Sequence, residues 1–221
     1  MIILPSNYAE IYPCINTTGA TAKIYASLDY QEAYKIYRRR FDYEEGKFSE
    51  FLKLDNPNCL SPKDVVCIGD CTDYMGYMMK FDSGKALSRI TNASLSQLIN
   101  GSLDIEPLLK QLSQHHFLIA DPNVDNIIFS DTYKLVDVYS FLLMKTILPE
   151  KLYARNLARV NETILCGLID FSYRVRLINY LNSINSRYTI WFKALNRQNP
   201  IFVYEALSII QDATEFSLLK K

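Results

Sequence analysis

The sequence predicts an α+β fold built from a β-rich N-terminal part and a mainly helical remainder. Three observations predict it. Short apolar and aromatic runs separated by turn residues recur up to residue 82. After Asp82-Ser-Gly84 the apolar spacing becomes helical. Short strands return once, at Ile127-Ile-Phe129 and Lys134-Leu-Val136, joined by Ser130-Asp-Thr132.

Taken in order, a strand is expected around Ile11 to Ile15, then two more at Ile24 to Leu28 and Ala33 to Tyr37, with Asp29-Tyr-Gln-Glu32 connecting them. Phe41 to Leu54 reads as a helix, because Phe41, Phe48 and Leu52 fall on one face, and Asp55-Asn-Pro-Asn58 stops it. Asp64 to Ile68 and Tyr77 to Phe81 complete a set of five strands around one helix. Leu87 to Ile99 and Ile105 to His116 have helical spacing, broken by Asn100-Gly-Ser102. Helices are also expected at Glu162–Tyr173, Arg174–Leu181, Thr189–Asn196 and Phe202–Gln211. The boundary between a part of residues 1–82 and a part of residues 83–221 follows from the change in pattern.

Composition narrows the function classes. With 49% hydrophobic and 13% aromatic residues the chain folds, and 24 basic against 24 acidic side chains do not describe a polybasic nucleic-acid binder. No apolar run approaches the roughly 20 residues of a membrane span, and Met1-Ile-Ile-Leu-Pro5 lacks the basic region of a secretion signal. Five scattered cysteines read as reduced thiols; Cys67-Ile-Gly-Asp-Cys71 has no second pair to make a zinc site. A cytoplasmic globular protein is the expectation.

The residues that carry chemistry are Asp121-Pro-Asn-Val-Asp-Asn126 and Asp137, placed around the second hairpin. An amide at Asn126 and a carboxylate at Asp137 suit a hard cation that keeps water and phosphate oxygens as its other ligands. Asp121, on the loop ahead of the hairpin, could orient or deprotonate a hydroxyl. An ordinary hairpin with polar turns is the plainer reading of the same residues.

These motifs resemble those of the protein-kinase-like fold, whose catalytic loop reads H-R-D-x-x-x-x-N and whose metal motif reads D-F-G. Ile119-Ala-Asp121 stands for the first, Asn126 for its asparagine, and Asp137-Val-Tyr139 for the second. The family's phosphate-covering loop aligns with Thr17-Thr-Gly19-Ala-Thr-Ala22-Lys-Ile24, and its strand lysine with Lys35 in Glu32-Ala33-Tyr-Lys35. Its helix glutamate would be Glu45, with Glu44 the close second, and Asn56-Pro-Asn58 resembles the turn after that helix. Met79-Lys80-Phe81 falls where the adenine hinge would lie. Glu162-Thr-Ile-Leu-Cys-Gly167 is a faint further match.

The resemblance covers about residues 10–140, with the features in family order. It implies a two-lobed fold, with a five-stranded antiparallel N-lobe carrying one helix and a reduced, mainly helical C-lobe, and a phosphotransferase using ATP and Mg²⁺. Asp121, Lys35 and Glu45 would be its catalytic set, and Asn126 and Asp137 its metal ligands. Gly19, Ile24, Ala33, Lys35, Met79 and Phe81 would contact the nucleotide. The acceptor would be a protein Ser, Thr or Tyr, or a small-molecule hydroxyl.

Departures bear on activity. Ile119 and Ala120 replace His and Arg, so a phosphorylated activation loop has no arginine partner there. Asn123 stands where a lysine is common, Tyr139 replaces a glycine, and only one loop glycine survives. What is kept positions ATP, metal and acceptor; what is lost regulates and binds peptides. An active, unregulated kinase follows, with a pseudokinase acting as a protein-interaction module as the alternative. Residues 151–200 carry eight basic and two acidic side chains, including Arg155, Arg159, Arg174, Arg176, Arg187, Lys193 and Arg197. They read as a solvated helical surface or as a basic face for an acidic protein or nucleic acid.

Overall fold

A computed structural model describes residues 1–16, 21–70, 73–90, 92–168 and 217–219. The chain divides into two compact units, Met1–Ser83 with Asp137–Tyr139, and Gly84–Val136 with Ser140–Lys221.

The first unit is a six-stranded sheet with two helices. Its elements are β1 (Ile2–Leu4), α1 (Tyr8–Ile11), β2 (Cys14–Asn16), β3 (Ala22–Ala26), β4 (Glu32–Tyr37), α2 (Glu45–Leu52), β5 (Asp64–Ile68) and β6 (Gly76–Lys80). The strands lie in the order β1-β5-β6-β4-β3-β2. The expected five antiparallel strands are therefore corrected to six in a mixed sheet, because Ile2–Leu4 pairs in parallel with Val66–Ile68. The strand expected around Ile11 to Ile15 is shared between the end of α1 and β2. Ser27 and Asp29 end β3 early: the Ser27 hydroxyl bonds the Asp29 carboxylate and accepts the Glu32 N–H, closing the turn.

Period-two alternation gives the sheet two different faces. One carries Tyr25, Tyr34, Ile36 and Val66, which pack with Leu4 under Tyr8 and Tyr12 of the α1 region. The other carries Ala33, Lys35 and Tyr37 of β4, with Ile24 opposite Lys35 on one side and Tyr77 opposite it on the other. Helix α2 is shorter than the periodicity suggests. Residue Glu44 is extended (φ −111°, ψ 103°), so Phe41 is not helical and stacks on Tyr37 instead. The buried face of α2 is consequently Lys47, Phe48 and Phe51, and Leu52 faces solvent.

The second unit contains β7 (Lys85–Ala86), β8 (Asn92–Ser94), α3 (Leu95–Gln114), β9 (Phe117–Leu118), β10 (Ile127–Phe129), β11 (Tyr133–Leu135), β12 (Leu142–Leu143), α4 (Pro149–Leu168) and β13 (Ser217–Leu219). Strands β7, β10 and β11 form a three-stranded sheet, β9 pairs with β12, and β8 with β13. The break expected at Asn100-Gly-Ser102 is absent: α3 runs through it. Three weak helix formers cost only about 2 kcal/mol together, which burial of Ile105, Leu108, Leu109 and Leu112 outweighs. Helix α4 begins thirteen residues before the expected Glu162 and carries the stripe Leu152, Val160 and Ile164 into the core. The helices expected after residue 173 lie outside the described residues. Among the described residues no helix is long and apolar enough to cross a membrane.

Candidate functional site

In the first unit the site is centred on Lys35. Alternation along β4 turns its side chain to the face shared with Ala33 and Tyr37, and only 8% of that side chain is exposed. A buried ammonium is costly unless paired, and Lys35 pairs with the Asp137 carboxylate. The rings of Tyr37 and Tyr77 lie 5.3 Å and 5.9 Å from the ammonium, within cation–π range. Strand β6 approaches closely here because Gly76 has no side chain: a Cβ at this position would stand 1.9 Å from the Lys35 carbonyl oxygen.

Asp137 has φ +55°, a left-handed conformation that Asp tolerates better than most residues. Burial, together with the Asp137 charge, pushes the Tyr37 hydroxyl above its ordinary range. The Tyr77 hydroxyl is raised by its complete burial, with the neighbouring Tyr37 and Asp137 adding to the rise. Two residues beyond Asp137, Tyr139 inserts its ring among Phe41, Phe51 and Tyr77, at centroid distances of 4.7, 5.9 and 5.8 Å. Its hydroxyl accepts the Glu44 N–H at 2.8 Å, and the buried Lys47 ammonium lies 4.6 Å over its ring. Burial pushes this hydroxyl up to about 12.

The expected partnership of Lys35 with Glu45 is not formed. Glu45 opens α2 and is exposed: of Phe41, Phe48 and Leu52, whose shared face would turn Glu45 inward, Phe41 lies outside the helix and Leu52 faces solvent. Glu44 is also turned outward, its carboxylate 3.5 Å from Lys47. The residues expected to contact a nucleotide have these places: Ile24 opposite Lys35, Ala33 opposite Met79, and Phe81 after β6, edge-on to Tyr30. Gly19 lies outside the described residues.

In the second unit the loop before the hairpin is held by its own turns and by α4. The Asn123 side chain accepts the Asp125 N–H at 2.9 Å, and the Asn123 carbonyl accepts the Asn126 N–H at 2.9 Å. The Asn126 carbonyl in turn accepts the N–H of Val136, the residue that precedes Asp137. Asn156 is fully buried. Its amide donates to the Ser113 hydroxyl and the Phe117 carbonyl, and its oxygen accepts the Ile119 N–H. Arg159 donates to the carbonyls of Ile119 and Ala120 at 2.8 and 3.0 Å, and the Thr163 hydroxyl to that of Pro122 at 3.0 Å. The backbone on both sides of the exposed Asp121 is thereby fixed. Arg159, expected on a basic outer face, faces this loop instead. Arg155 is exposed, and the other arginines of that expected face lie outside the described residues.

Asp121 and Asn126 border a recess of about 10 Å³ with Pro122, Val136 and Val160, room for one water. Among the described residues no three His, Cys, Asp or Glu side chains gather as a metal site. The sequence pattern singles out neither Asn156 nor Thr163, yet Asn156 carries a signal: it interrupts the stripe Leu152, Val160, Ile164 at four-residue spacing, where a polar side chain needs partners. Nothing in the sequence marks Lys47. The chain matches no protein-family model and no curated protein.

Proposed function

We propose that the chain is an ATP- and Mg²⁺-dependent phosphotransferase of protein-kinase-like fold, acting on a hydroxyl of a protein Ser, Thr or Tyr or of a small molecule. The observation that carries this reading is the ion pair of Lys35 with Asp137. A strand lysine and a distant aspartate, each read from its own motif, meet in one unit. Lys35 would hold phosphate oxygens. Asp121, on a loop clamped by Asn156 and Arg159, would orient the acceptor hydroxyl and take its proton. Holding that loop rigid limits the geometries open to the acceptor.

By donor chemistry alone, the Asp137 carboxylate and the Asn126 amide oxygen are of the kind a hard cation takes, and phosphate oxygens and water would be its other ligands. Bound there, Mg²⁺ would neutralise charge on the phosphates. Cys14, Cys59 and Cys67 form no disulfide among the described residues, and reduced thiols fit a cytosolic setting.

One observation favours an inactive, nucleotide-binding or scaffold protein: Lys35 has Asp137 where an active site of this kind would also give it a glutamate. Labelled ATP separates the two. Transfer of label to protein or to a small alcohol, lost in Asp121→Asn while nucleotide binding remains, supports the enzyme. Saturating Mg·ATP, at about a hundred times its Kd, should raise stability by about 2.7 kcal/mol. Absence of any such shift in the native chain sinks both nucleotide readings.

A further inference from the structure

We propose that Tyr139 is a positioning residue that holds Asp137 toward Lys35 and couples that carboxylate to the N-terminus of α2. The inference rests on the reading of Lys35 and Asp137 as phosphate and metal groups, and deepens it. Three observations converge on this side chain. Its ring is buried in an aromatic cluster contributed by Phe41, Phe48, Phe51 and Tyr77. Its hydroxyl accepts the N–H of Glu44, the residue that caps α2. The Lys47 ammonium, itself buried, lies over its face.

The backbone explains why such an anchor is needed. Asp137 is left-handed, a conformation that persists only where its surroundings over-determine it. Lys35 fixes the side chain of Asp137, and Tyr139, one 3-10 turn further on, fixes the chain that follows. The α2 helix thus reaches the site through a tyrosine hydroxyl and a lysine, while Glu44 and Glu45 face outward. A shift of α2 along its axis would carry Tyr139, and with it the carboxylate of Asp137.

Two readouts test this in the full chain. The first is ATP affinity with Mg²⁺ and with EDTA, in the native chain, Tyr139→Phe and Tyr139→Leu. The second is acetylation of Lys35 by limiting acetic anhydride, read by mass spectrometry. The expected result is that Tyr139→Leu loses about tenfold in Mg·ATP affinity and keeps metal-free ATP affinity within about twofold. Lys35 becomes faster to acetylate in the same variant, and Tyr139→Phe, which keeps the ring, recovers most of both properties. Equal loss with and without Mg²⁺, or unchanged acetylation, overturns the positioning role. If the native chain binds no ATP, the reading of the site fails, and the acetylation rates alone decide whether Tyr139 holds Asp137 to Lys35. Should Tyr139→Leu not fold, Lys47→Met takes its place, with the same two outcomes.

Discussion

Lys35 and Asp137 stand 102 positions apart in the chain and share one ion pair, with 8% of the lysine side chain and 32% of the aspartate side chain exposed. The asymmetry in exposure matters more than the pair itself. Water can solvate the carboxylate, when its partner is lost, far better than it can solvate the ammonium.

The two ends of this pair should therefore respond differently to removal. Asp137→Ala strands a buried charge and is expected to cost about 3 kcal/mol, while Lys35→Met leaves a hydratable carboxylate behind a side chain of similar shape and should cost about 1 kcal/mol or less. Urea unfolding of both variants measures the difference. Equal losses would mean that the lysine is better solvated than its burial indicates.

Much of this arrangement was legible in the sequence, for identifiable reasons. Strands β4, β5 and the hairpin β10–β11 carry strong local patterns, and Asp121, Asn126 and Asp137 are marked by fixed spacing around that hairpin. The face of Lys35 was not legible, because β4 is buried on both sides: Tyr34 and Ile36 are as apolar as Ala33. Strand β1 was missed because three residues pairing in parallel with β5 leave no alternation to read. The choice of Glu45 failed for a subtler reason. Phe41 packs by stacking on Tyr37, a tertiary contact, and periodicity counted it as a helical position. The α4 clamp is likewise tertiary: the side chains come from one helix and the carbonyls from a loop some forty residues earlier.

Gly76 offers a test of how tightly β6 must approach β4. A methyl group there would meet the Lys35 carbonyl oxygen at 1.9 Å, so backbone must move. Gly76→Ala is expected to destabilise by about 3 kcal/mol. Gly46, in the first turn of α2, has nothing within 4 Å of the same added atom. Gly46→Ala should instead stabilise by up to about 1 kcal/mol through helix propensity. Opposite signs in denaturant melts are the expected outcome; a neutral Gly76→Ala would show that β6 can slide away from Lys35.

The clamp on the Asp121 loop makes a prediction that separates folding from chemistry. Asn156→Ala leaves the buried Ile119 N–H and Phe117 carbonyl without this partner, a loss of about 3 kcal/mol of stability. Arg159 is less buried and bonds carbonyls nearer Asp121. Arg159→Met should lower phosphotransfer about tenfold while ATP affinity stays within about twofold, because acceptor geometry is loosened and the nucleotide groups are untouched. Steady-state transfer rates beside nucleotide titrations check it. Parallel loss of both would assign Arg159 to nucleotide binding instead.

Buried tyrosines set the alkaline limit of the fold. Burial lifts the hydroxyls of Tyr133 and Tyr139 to about 12 and that of Tyr77 well above the ordinary value, against about 10 in an unfolded chain. Between these values the unfolded chain has released protons that the folded chain still holds. Unfolding is then favoured by rising pH, so the stability these groups contribute is complete below about 10 and is lost as pH climbs through about 12. The buried Cys59 thiol, pushed up to about 12 by burial from an ordinary value near 9, adds to this loss, so urea midpoints should begin to fall near pH 9 and fall steeply above 10. Absorbance at 295 nm, reporting tyrosinate, should show part of the 16 tyrosines ionising only as the chain unfolds. A midpoint unchanged between pH 8 and pH 11.5 would mean that these hydroxyls reach water in the folded protein, and the aromatic cluster that anchors Tyr139 would then be looser than its geometry implies.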